Sequence, residues 1–340
     1  MTKQTEQTWP WPEGAATGIG SLPGTDIAEA QRIVLGELSD FPHLPELPAR
    51  GPGADLIGRS AAFLVDLPVE LYVGEWRVAS RPGRDLRRAR DLHKRDLDQL
   101  NEQADGYEGP LKIQSAGPWT LAANLSLRLG GRLLRDPGAV RDLTDSLAEG
   151  LRDHVADVAR RVPGARVVLQ LDEPSLPAVL AGTVPTDSGL YTYRAVEESV
   201  AADALRRVIH SVGVPVAVHC CAPDVPVGLI RSAGAAAVSL DLTLVHDLDA
   251  LGEAIDAGLG LLAGAAPAVP PASGKAPSSA EVAERIRRLW RELAFPARQL
   301  PRQVVVTPTC GLAGAPAGYV RAVLAACRDA GRRLYEADEE

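Results

Sequence analysis

Short apolar runs alternate with longer amphipathic stretches along the whole 340-residue chain. Each apolar run predicts a strand, because short apolar runs bounded by turn residues are typical of strands buried in a parallel sheet. The predicted strands are Thr17–Gly20, His43–Leu47, Leu111–Gln114, Val167–Leu171, Val214–His219, Ala236–Leu242, Leu259–Ala263 and Val304–Thr307. Because eight such strands alternate with helical stretches, we expect an α/β fold, a single-domain (β/α)8 TIM barrel over residues 1–340.

The amphipathic stretches predict helices, several of which begin at an Asp, Ser or Thr suited to an N-cap. The predicted helices are Asp26–Leu38, Arg84–Gln103, Ala139–Arg161, Ala195–Ser211, Ala280–Leu293 and Tyr319–Tyr335. The interval 51–109 is too long for one crossover connection, so we expect an excursion between the second and third strands, with a hairpin around Leu71–Ser80. Residues 1–14 are expected to form a flexible N-terminal segment.

The composition of the chain excludes some classes of function. A formal net charge of −8 leaves no excess of Lys and Arg to neutralise phosphates, which argues against nucleic acid as a partner. The first residues, MTKQTEQTWPWPEG, lack the apolar region of a signal peptide, and no run approaches the length of a membrane span. We therefore expect a cytoplasmic protein, in which four cysteines are better suited to metal binding or catalysis than to disulfides.

Polar side chains follow three of the predicted strands directly. His219, Cys220 and Cys221 end the fifth strand, Asp241 follows the sixth, and Cys310 follows the eighth. The carboxyl ends of barrel strands meet on one rim, where active sites of this fold lie. Imidazole, thiolate and carboxylate groups are the usual ligands of tetrahedral Zn²⁺, so the set His219, Cys221, Asp241 and Cys310 predicts a zinc site. Cys220 would point to the opposite side of the strand end.

Six segments, in order along nearly the whole chain, resemble motifs of the C-terminal catalytic barrel of cobalamin-independent methionine synthase. They are TGIGSLP (17–23), LPE (44–46), AGPWTL (116–121), LQLDEPSL (169–176), HCC (219–221) and TCGL (309–312). The first is similar to the homocysteine loop of that family, and the last two are similar to its zinc motifs. The resemblance implies a short, stand-alone form of this barrel with bound Zn²⁺.

The resemblance also assigns a substrate-binding role to five residues. It implies that Ile19, Gly20 and Ser21 hold the carboxylate of homocysteine, while Glu46 and Asp172 hold its ammonium group, with Asp172 as the catalytic residue. Simple chemistry agrees with these roles. A glycine-containing turn before a helix presents free backbone N–H groups to an anion, and two carboxylates suit a cation.

The implied reaction is a zinc-dependent methyl transfer onto the thiol of homocysteine to give methionine. A thiol that coordinates zinc is deprotonated, and the resulting thiolate is the nucleophile. Four protein ligands would close the zinc site, so one of them must yield to the substrate. The carboxylate is expected to leave, and Asp241 stands here where the family has the longer Glu.

The methyl donor is left open between a folate and a corrinoid carrier. The family's folate-stacking Trp corresponds to Asn124, and its folate-side Glu corresponds to Ala178. Its proton-donating His has no counterpart in the run 264–267. Without an aromatic platform and a carboxylate, a pterin would lose stacking and charged hydrogen bonds. A corrinoid carrier would not need these residues.

Two other classes of function compete with the methyltransferase. A metal-free barrel lyase resembling uroporphyrinogen decarboxylase would be expected to place Arg near the first strand to bind a polycarboxylate, whereas residues 18–23 read GIGSLP. A non-catalytic zinc-binding barrel would have a fully ligated, structural site. Zinc content and homocysteine binding separate the three, because only the methyltransferase should show both.

Overall fold

The computed structural model describes residues 9–336. Its strands are β1 (Val69–Tyr72), β2 (Glu75–Val78), β3 (Gly109–Ala116), β4 (Ala165–Asp172), β5 (Val216–Cys220), β6 (Ala237–Asp241), β7 (Gly260–Ala266) and β8 (Val304–Pro308). Its longer helices are α1 (Ile27–Glu37), α3 (Arg84–Gln103), α5 (Pro137–Arg161), α7 (Glu198–Val212), α10 (Ser279–Glu292) and α12 (Ala317–Glu336). Its shorter helices are α2 (Leu56–Ala61), α4 (Pro118–Asn124), α6 (Leu176–Ala181), α8 (Val227–Ser232), α9 (Leu248–Asp256) and α11 (Leu300–Gln303).

Strands β3 to β8 form a six-stranded parallel sheet in sequence order, with helices in the connections. This confirms the predicted α/β class and the third to eighth predicted strands. The parallel register places the carboxyl ends of the strands side by side, and Asp172 at the end of β4 pairs with His219 on β5. The residues that follow the strands therefore share one edge of the sheet.

The first two predicted strands are not continuous ladders: isolated parallel bridges lie on either side of the first, at Ala16 and Ser21, and within the second, at His43 and Glu46. Ala16 bridges to Val306 on β8, Ser21 bridges to Glu46, and His43 bridges to Lys112 on β3. The bonds are short, with the Leu22 N–H donating to the Glu46 carbonyl at 2.8 Å. Prolines cannot donate to a ladder, and the chain has them at positions 42, 45 and 48 in this second segment, which limits it to single bridges.

The predicted excursion lies between the second predicted strand and β3. Strands β1 and β2 form an antiparallel hairpin, and α3 spans the residues predicted for the long helix. A largely buried ion pair connects this helix to the segment before α2. Both terminal nitrogens of the Arg50 side chain donate to the carboxylate of Asp96, at 2.6 and 2.7 Å. A paired arginine and carboxylate of this geometry fixes the position as well as the charge balance.

The two faces of the sheet have different surroundings. The outward-facing side chains join the helices in the large apolar core. A smaller apolar cluster occupies the other face and consists of Trp11, Ala15, Phe41, Val168, Ala217, Ala237, Leu262 and Val305. Further along the strands the same face carries Lys112, Gln170 and His219, as the period of two requires. This face therefore changes from apolar to polar toward the carboxyl ends.

The N-terminal segment predicted to be flexible is described only from residue 9 onward, so the prediction for residues 1–8 lies outside the described residues. Within residues 9–14, Trp11 is buried, and its indole N–H donates to the carbonyl of Arg302 at 3.1 Å. Trp9 stacks on Trp11 with ring centroids 5.5 Å apart. No helix between residues 9 and 336 is long and apolar enough to cross a membrane.

A pair of histidines beside Phe63 couples α3 and α5. His154 stacks on Phe63 with ring centroids 4.5 Å apart, and its Nδ1 lies 3.3 Å from Nε2 of His93. The Nε2 atom of His154 is buried without a hydrogen-bond partner. Burial, together with the charge of Arg59, lowers the pKa of His154 to about 3. His154 is therefore neutral in the folded protein and gains a proton on unfolding below its ordinary pKa of 6.5.

This difference predicts that stability falls as the pH falls below about 6.5, since the unfolded chain then binds more protons than the folded chain. The contribution of His154 is complete above the unfolded pKa and is lost at about 1.4 kcal/mol per pH unit toward the folded pKa. Urea unfolding at pH 7 and at pH 5 measures this effect. Between these two pH values, the free energy of unfolding of His154→Gln should fall by about 1 to 2 kcal/mol less than that of the parent. The exposed His210→Gln is the matched control. Equal pH slopes for the parent and His154→Gln would contradict the assignment.

Candidate metal centre and adjoining cavity

Three of the predicted zinc ligands meet at the carboxyl edge of the sheet. His219 lies near the end of β5, Cys221 directly follows that strand, and Cys310 follows β8. One ligand atom from each of the three residues lies within 4.8 Å of the other two. His219 is buried and the two thiols are half-buried, so the group faces a partly open space. The parallel register brings together residues that are 91 positions apart in the sequence.

The fourth predicted ligand, Asp241, does not join this group. Its carboxylate accepts hydrogen bonds from the N–H and the hydroxyl of Thr243, at 2.9 and 2.7 Å, and so caps the turn after β6. It lines a different cavity, together with Asp224 and His246. Cys220, which the alternation of the strand directs away, is fully buried and is also outside the group.

The two thiols of the group shift each other's pKa in opposite directions. A hydrogen bond from Cys221 lowers the pKa of Cys310 to about 4, burial opposes this effect, and His219 adds to it. The same hydrogen bond, together with burial, raises the pKa of Cys221 well above its ordinary value. Two thiols that would compete for a proton in this way suit a cation, which stabilises both as thiolates.

A serine orients the histidine of the group. Nδ1 of His219 lies 2.9 Å from the hydroxyl of Ser239, and its Nε2 lies 4.0 Å from the sulfur of Cys310. A partner on one ring nitrogen fixes the direction in which the other nitrogen points, which is the usual arrangement behind a metal-ligating histidine. Ser239 was not singled out in the sequence, although its position two residues before Asp241 places it on the same face of β6.

A cavity of about 210 Å³ opens beside the group. His219, Cys221 and Cys310 form part of its wall. Every residue predicted to bind the substrate also lines it, namely Ile19, Gly20, Ser21, Glu46 and Asp172. Eight of the nine predicted site residues thus surround one space, and Asp241 is the exception.

The loop of residues 20–22 contacts the segment that carries Cys310. The N–H of Leu312 donates to the carbonyl of Ser21 at 2.7 Å. A Cβ at position 311 would lie 2.1 Å from the hydroxyl oxygen of Ser21, so any larger residue would require this hydroxyl to turn away. Gly311 therefore lets the predicted carboxylate-binding loop pack against the segment that directly follows Cys310.

The two carboxylates of the cavity have different partners. Glu46 forms a buried ion pair with Arg59, and Arg59 also donates to the carbonyl of Gln114 at 3.0 Å. Asp172 accepts a hydrogen bond from the side-chain amide of Gln170 at 2.7 Å. Burial raises the pKa of Asp172, whereas the charges of His219 and Lys112 lower it.

Glu173, next to Asp172, forms its hydrogen bonds with the first residues of helix α4. Its carboxylate accepts from the backbone N–H groups of Trp119 and Thr120 at 3.0 and 2.7 Å and from the Thr120 hydroxyl at 2.8 Å. Burial raises its pKa to about 7. All three bonds hold the start of α4 close to the end of β4, so the role of Glu173 is structural. Asp172 lines the cavity, and Glu173 does not.

Two buried cations near the cavity, Arg59 and Lys112, were not predicted from the sequence. Lys112 is completely buried, and its pKa is lowered by burial although the charges of Asp172 and Glu46 oppose the change. The sequence does indicate the position of Lys112. It lies two residues before Gln114 in a mostly apolar strand, and this spacing places both polar side chains on one face of the sheet.

These features define an α/β protein with a candidate metal centre and a polar cavity at the carboxyl edge of a parallel sheet. A family model described as "Cobalamin-independent synthase, Catalytic domain" matches residues 119–333. This match covers more than half of the chain, and the chain belongs to that family, as the sequence motifs indicated. None of the curated proteins compared with the chain matches it.

Among solved structures, the chain is similar to a B12-independent methionine synthase from Shewanella sp. W3-18-1, which was determined in complex with selenomethionine. The TM-score is 0.64 at 13% sequence identity, and the alignment covers 96% of this chain and 99% of the other. At this identity the similarity concerns the fold, and it extends over essentially the whole length of both chains.

Proposed function

We propose that the protein transfers a methyl group to the thiol of homocysteine and so forms methionine, with Zn²⁺ held by His219, Cys221 and Cys310. One observation carries the proposal: these three ligands and the five predicted substrate-binding residues line the same cavity. Membership of the synthase family supports the reaction, and the selenomethionine bound by the similar structure supports the class of ligand.

The donor set fits zinc. Two thiols and an imidazole are typical ligands of Zn²⁺, and three protein ligands with an open position are typical of a catalytic rather than a structural site. Bound zinc would supply the charge that keeps a substrate thiol deprotonated. Asp241 stays the proposed fourth ligand, which would yield this position to the substrate thiol, and its bonds to Thr243 would have to break before it could reach the group.

The protein's own residues would orient the amino-acid part of the substrate. The backbone of Ile19, Gly20 and Ser21, which line the cavity, would hold the carboxylate, because N–H groups of a glycine-containing turn suit an anion. Glu46 and Asp172, which also line it, would hold the ammonium group. Binding at both ends would direct the thiol toward Cys221 and Cys310, and such alignment provides much of the rate of a methyl transfer.

We also propose that the chain forms one catalytic domain whose eight strand positions close into a (β/α)8 barrel. The bridges from Ala16 to Val306, from Ser21 to Glu46 and from His43 to Lys112 support this, since they connect β8 to β3 through the two N-terminal segments. In a closed barrel the inner face of the sheet would end in the cavity, as in other enzymes of this architecture.

The methyl donor of the proposed reaction is a folate or a corrinoid carrier. Asn124, which stands at the position of the family's folate-stacking Trp, donates to the carbonyl of Thr120 at 2.8 Å and to the hydroxyl of Ser175 at 3.2 Å. Assays of methionine formation with methyltetrahydrofolate and with methylcobalamin, each at the same homocysteine concentration, decide between the two.

Homocysteine binding tests the acceptor half of the proposal. Adding homocysteine to the zinc-loaded protein should release about one proton per chain, because the bound thiol ionises. Calorimetry in two buffers of different ionisation enthalpy measures both the affinity and the proton count. Homoserine, which has a hydroxyl in place of the thiol, is the matched control and should release none.

The possible outcomes separate the competing functions. Zinc without thiol binding would favour a non-catalytic zinc-binding barrel, and absence of both would favour the metal-free lyase. Thiol binding that releases a proton, together with about one zinc per chain, is the result expected of the methyltransferase.

A further inference from the structure

Lys112 is a completely buried lysine whose hydrogen bonds all go to uncharged oxygens. Its ammonium group donates to the carbonyl of Ile19 at 2.8 Å, to Oε1 of Gln170 at 2.8 Å and to Oε1 of Gln114 at 3.3 Å. An ammonium group in the interior is costly unless its hydrogen bonds are made. Of its partners, Ile19 lines the substrate cavity, and Gln170 bonds to Asp172, which also lines it.

The ammonium group decides which way the amide of Gln170 points. An ammonium group can only donate, so it must face the oxygen of the amide rather than its nitrogen. The nitrogen of Gln170 is then turned toward the carbonyl of Ile19, at 2.9 Å, and toward Oδ1 of Asp172, at 2.7 Å. A chain of directed hydrogen bonds therefore runs from Lys112 through Gln170 to Asp172.

The positive charge also balances the acidic side of the cavity. Glu46 has its own buried cation, Arg59, in direct contact. Asp172 has no described ion pair, and Lys112 reaches it only through Gln170. Removal of the charge would leave Asp172 with the charge of His219 but without that of Lys112, and it would free the Gln170 amide to turn, so the position of the carboxylate depends on Lys112.

We infer that Lys112 is a positioning residue that makes the cavity select thiols carrying an α-ammonium group. It acts on Asp172 through Gln170 and on the loop of residues 19–21 through the carbonyl of Ile19. The inference rests on the proposed function, since it assumes that homocysteine binds with its ammonium group at Asp172. Lys112 itself does not line the cavity and needs no contact with the substrate.

Two thiols that differ only in the ammonium group test this inference. Homocysteine and 4-sulfanylbutanoate share the thiol, the chain length and the carboxylate, but only homocysteine has the amino group. In Lys112→Met the dissociation constant of homocysteine should rise about tenfold, as expected when a charged hydrogen-bond network is broken. The dissociation constant of 4-sulfanylbutanoate should change less than about twofold. The exposed Lys94→Met is the matched control and should leave both values unchanged.

A second variant separates positioning from folding. Gln170→Leu interrupts the chain of bonds but leaves Lys112 its bonds to Ile19 and Gln114, so the buried ammonium group keeps two acceptors. It should show the same selective loss of homocysteine affinity. The double variant should lose little more than either single variant, because both changes interrupt one path.

The result that would overturn the inference is an equal loss for both thiols, or no loss for either, in folded variants with parental zinc content. Additive losses in the double variant would also overturn it, since Lys112 would then act independently of Gln170. These results differ from failure of the proposed function, in which the parent protein would bind neither thiol. If Lys112→Met does not fold, Gln170→Leu alone decides through the ratio of the two dissociation constants.

Discussion

Serine in place of Cys310 is expected to lower the bound zinc from about one ion per chain to a small residual fraction. The thiol of Cys310 lies within 4.8 Å of the ligand atoms of both His219 and Cys221, so its loss leaves two of the three clustered ligands. A hydroxyl is a much poorer ligand than a thiolate, and it does not ionise near neutral pH. Inductively coupled plasma mass spectrometry on protein purified with and without added zinc measures the stoichiometry.

The cysteines of the chain offer matched controls for this result. Cys221→Ala should lose zinc as Cys310→Ser does, whereas Cys220→Ala and Cys327→Ala should keep it. Cys220 is adjacent in sequence but buried outside the group, and Cys327 is buried in α12. Retention of a full zinc complement by Cys310→Ser, or an equal loss in all four variants, would show that the ligands are assigned wrongly.

Loss of zinc should also abolish the release of a proton by homocysteine. Without the cation, the free thiol has its ordinary pKa and stays protonated at neutral pH. The protein itself should remain folded, since the sheet and its helices bury an extensive apolar core that does not depend on the group. A circular dichroism spectrum equal to that of the parent, combined with lost zinc, therefore distinguishes a metal effect from unfolding.

The positions of the three clustered ligands could be predicted because a simple rule links sequence to space. Each follows, or ends, an apolar strand, and the strands of a parallel sheet have their carboxyl ends on one edge. The rule also places Asp241 on this edge. It cannot anticipate that the short aspartate side chain would bond to Thr243, two residues further on, because such local capping depends on the backbone of the turn.

The supporting residues were harder to predict, because their partners come from distant segments. Arg59 lies on a short helix of the excursion, yet it pairs with Glu46 and donates to the carbonyl of Gln114 on β3. Lys112 bonds to Ile19, which is 93 residues away. Pairings of this kind depend on how the N-terminal segments cross the sheet, and those segments have too few ladder hydrogen bonds to show the pattern of a strand.

The length of a helix determined whether it could be predicted from the sequence. The six predicted helices are the ones that have between 11 and 25 residues. Helices α2, α4, α6, α8, α9 and α11 have between four and nine residues and were not predicted. A helix of two and a half turns or less displays too little of the 3.6-residue period to be told from a loop, and its stability comes from packing rather than from its own sequence.

Alanine in place of Gly150 should destabilise the protein by about 2 to 3 kcal/mol or more. Gly150 lies within α5, where alanine would ordinarily favour the helix by roughly 0.5 to 1 kcal/mol. A Cβ at this position would lie only 1.8 Å from the carbonyl oxygen of Phe63 and 2.7 Å from its carbonyl carbon. The contact is with backbone rather than with a flexible side chain, so α5 or the loop after α2 must move.

Gly36→Ala is the matched control, because Gly36 also lies in a helix, α1, but a Cβ there would meet nothing within 4 Å. That variant should be stabilised by about 0.5 to 1 kcal/mol, since only the gain in helix propensity remains. Urea unfolding at pH 7 measures both changes against the parent. Displacement of Phe63 would also disturb its stacking on His154, so Gly150→Ala should alter the acid sensitivity as well. Equal stability of the two glycine variants would contradict the close packing of α5 against residue 63.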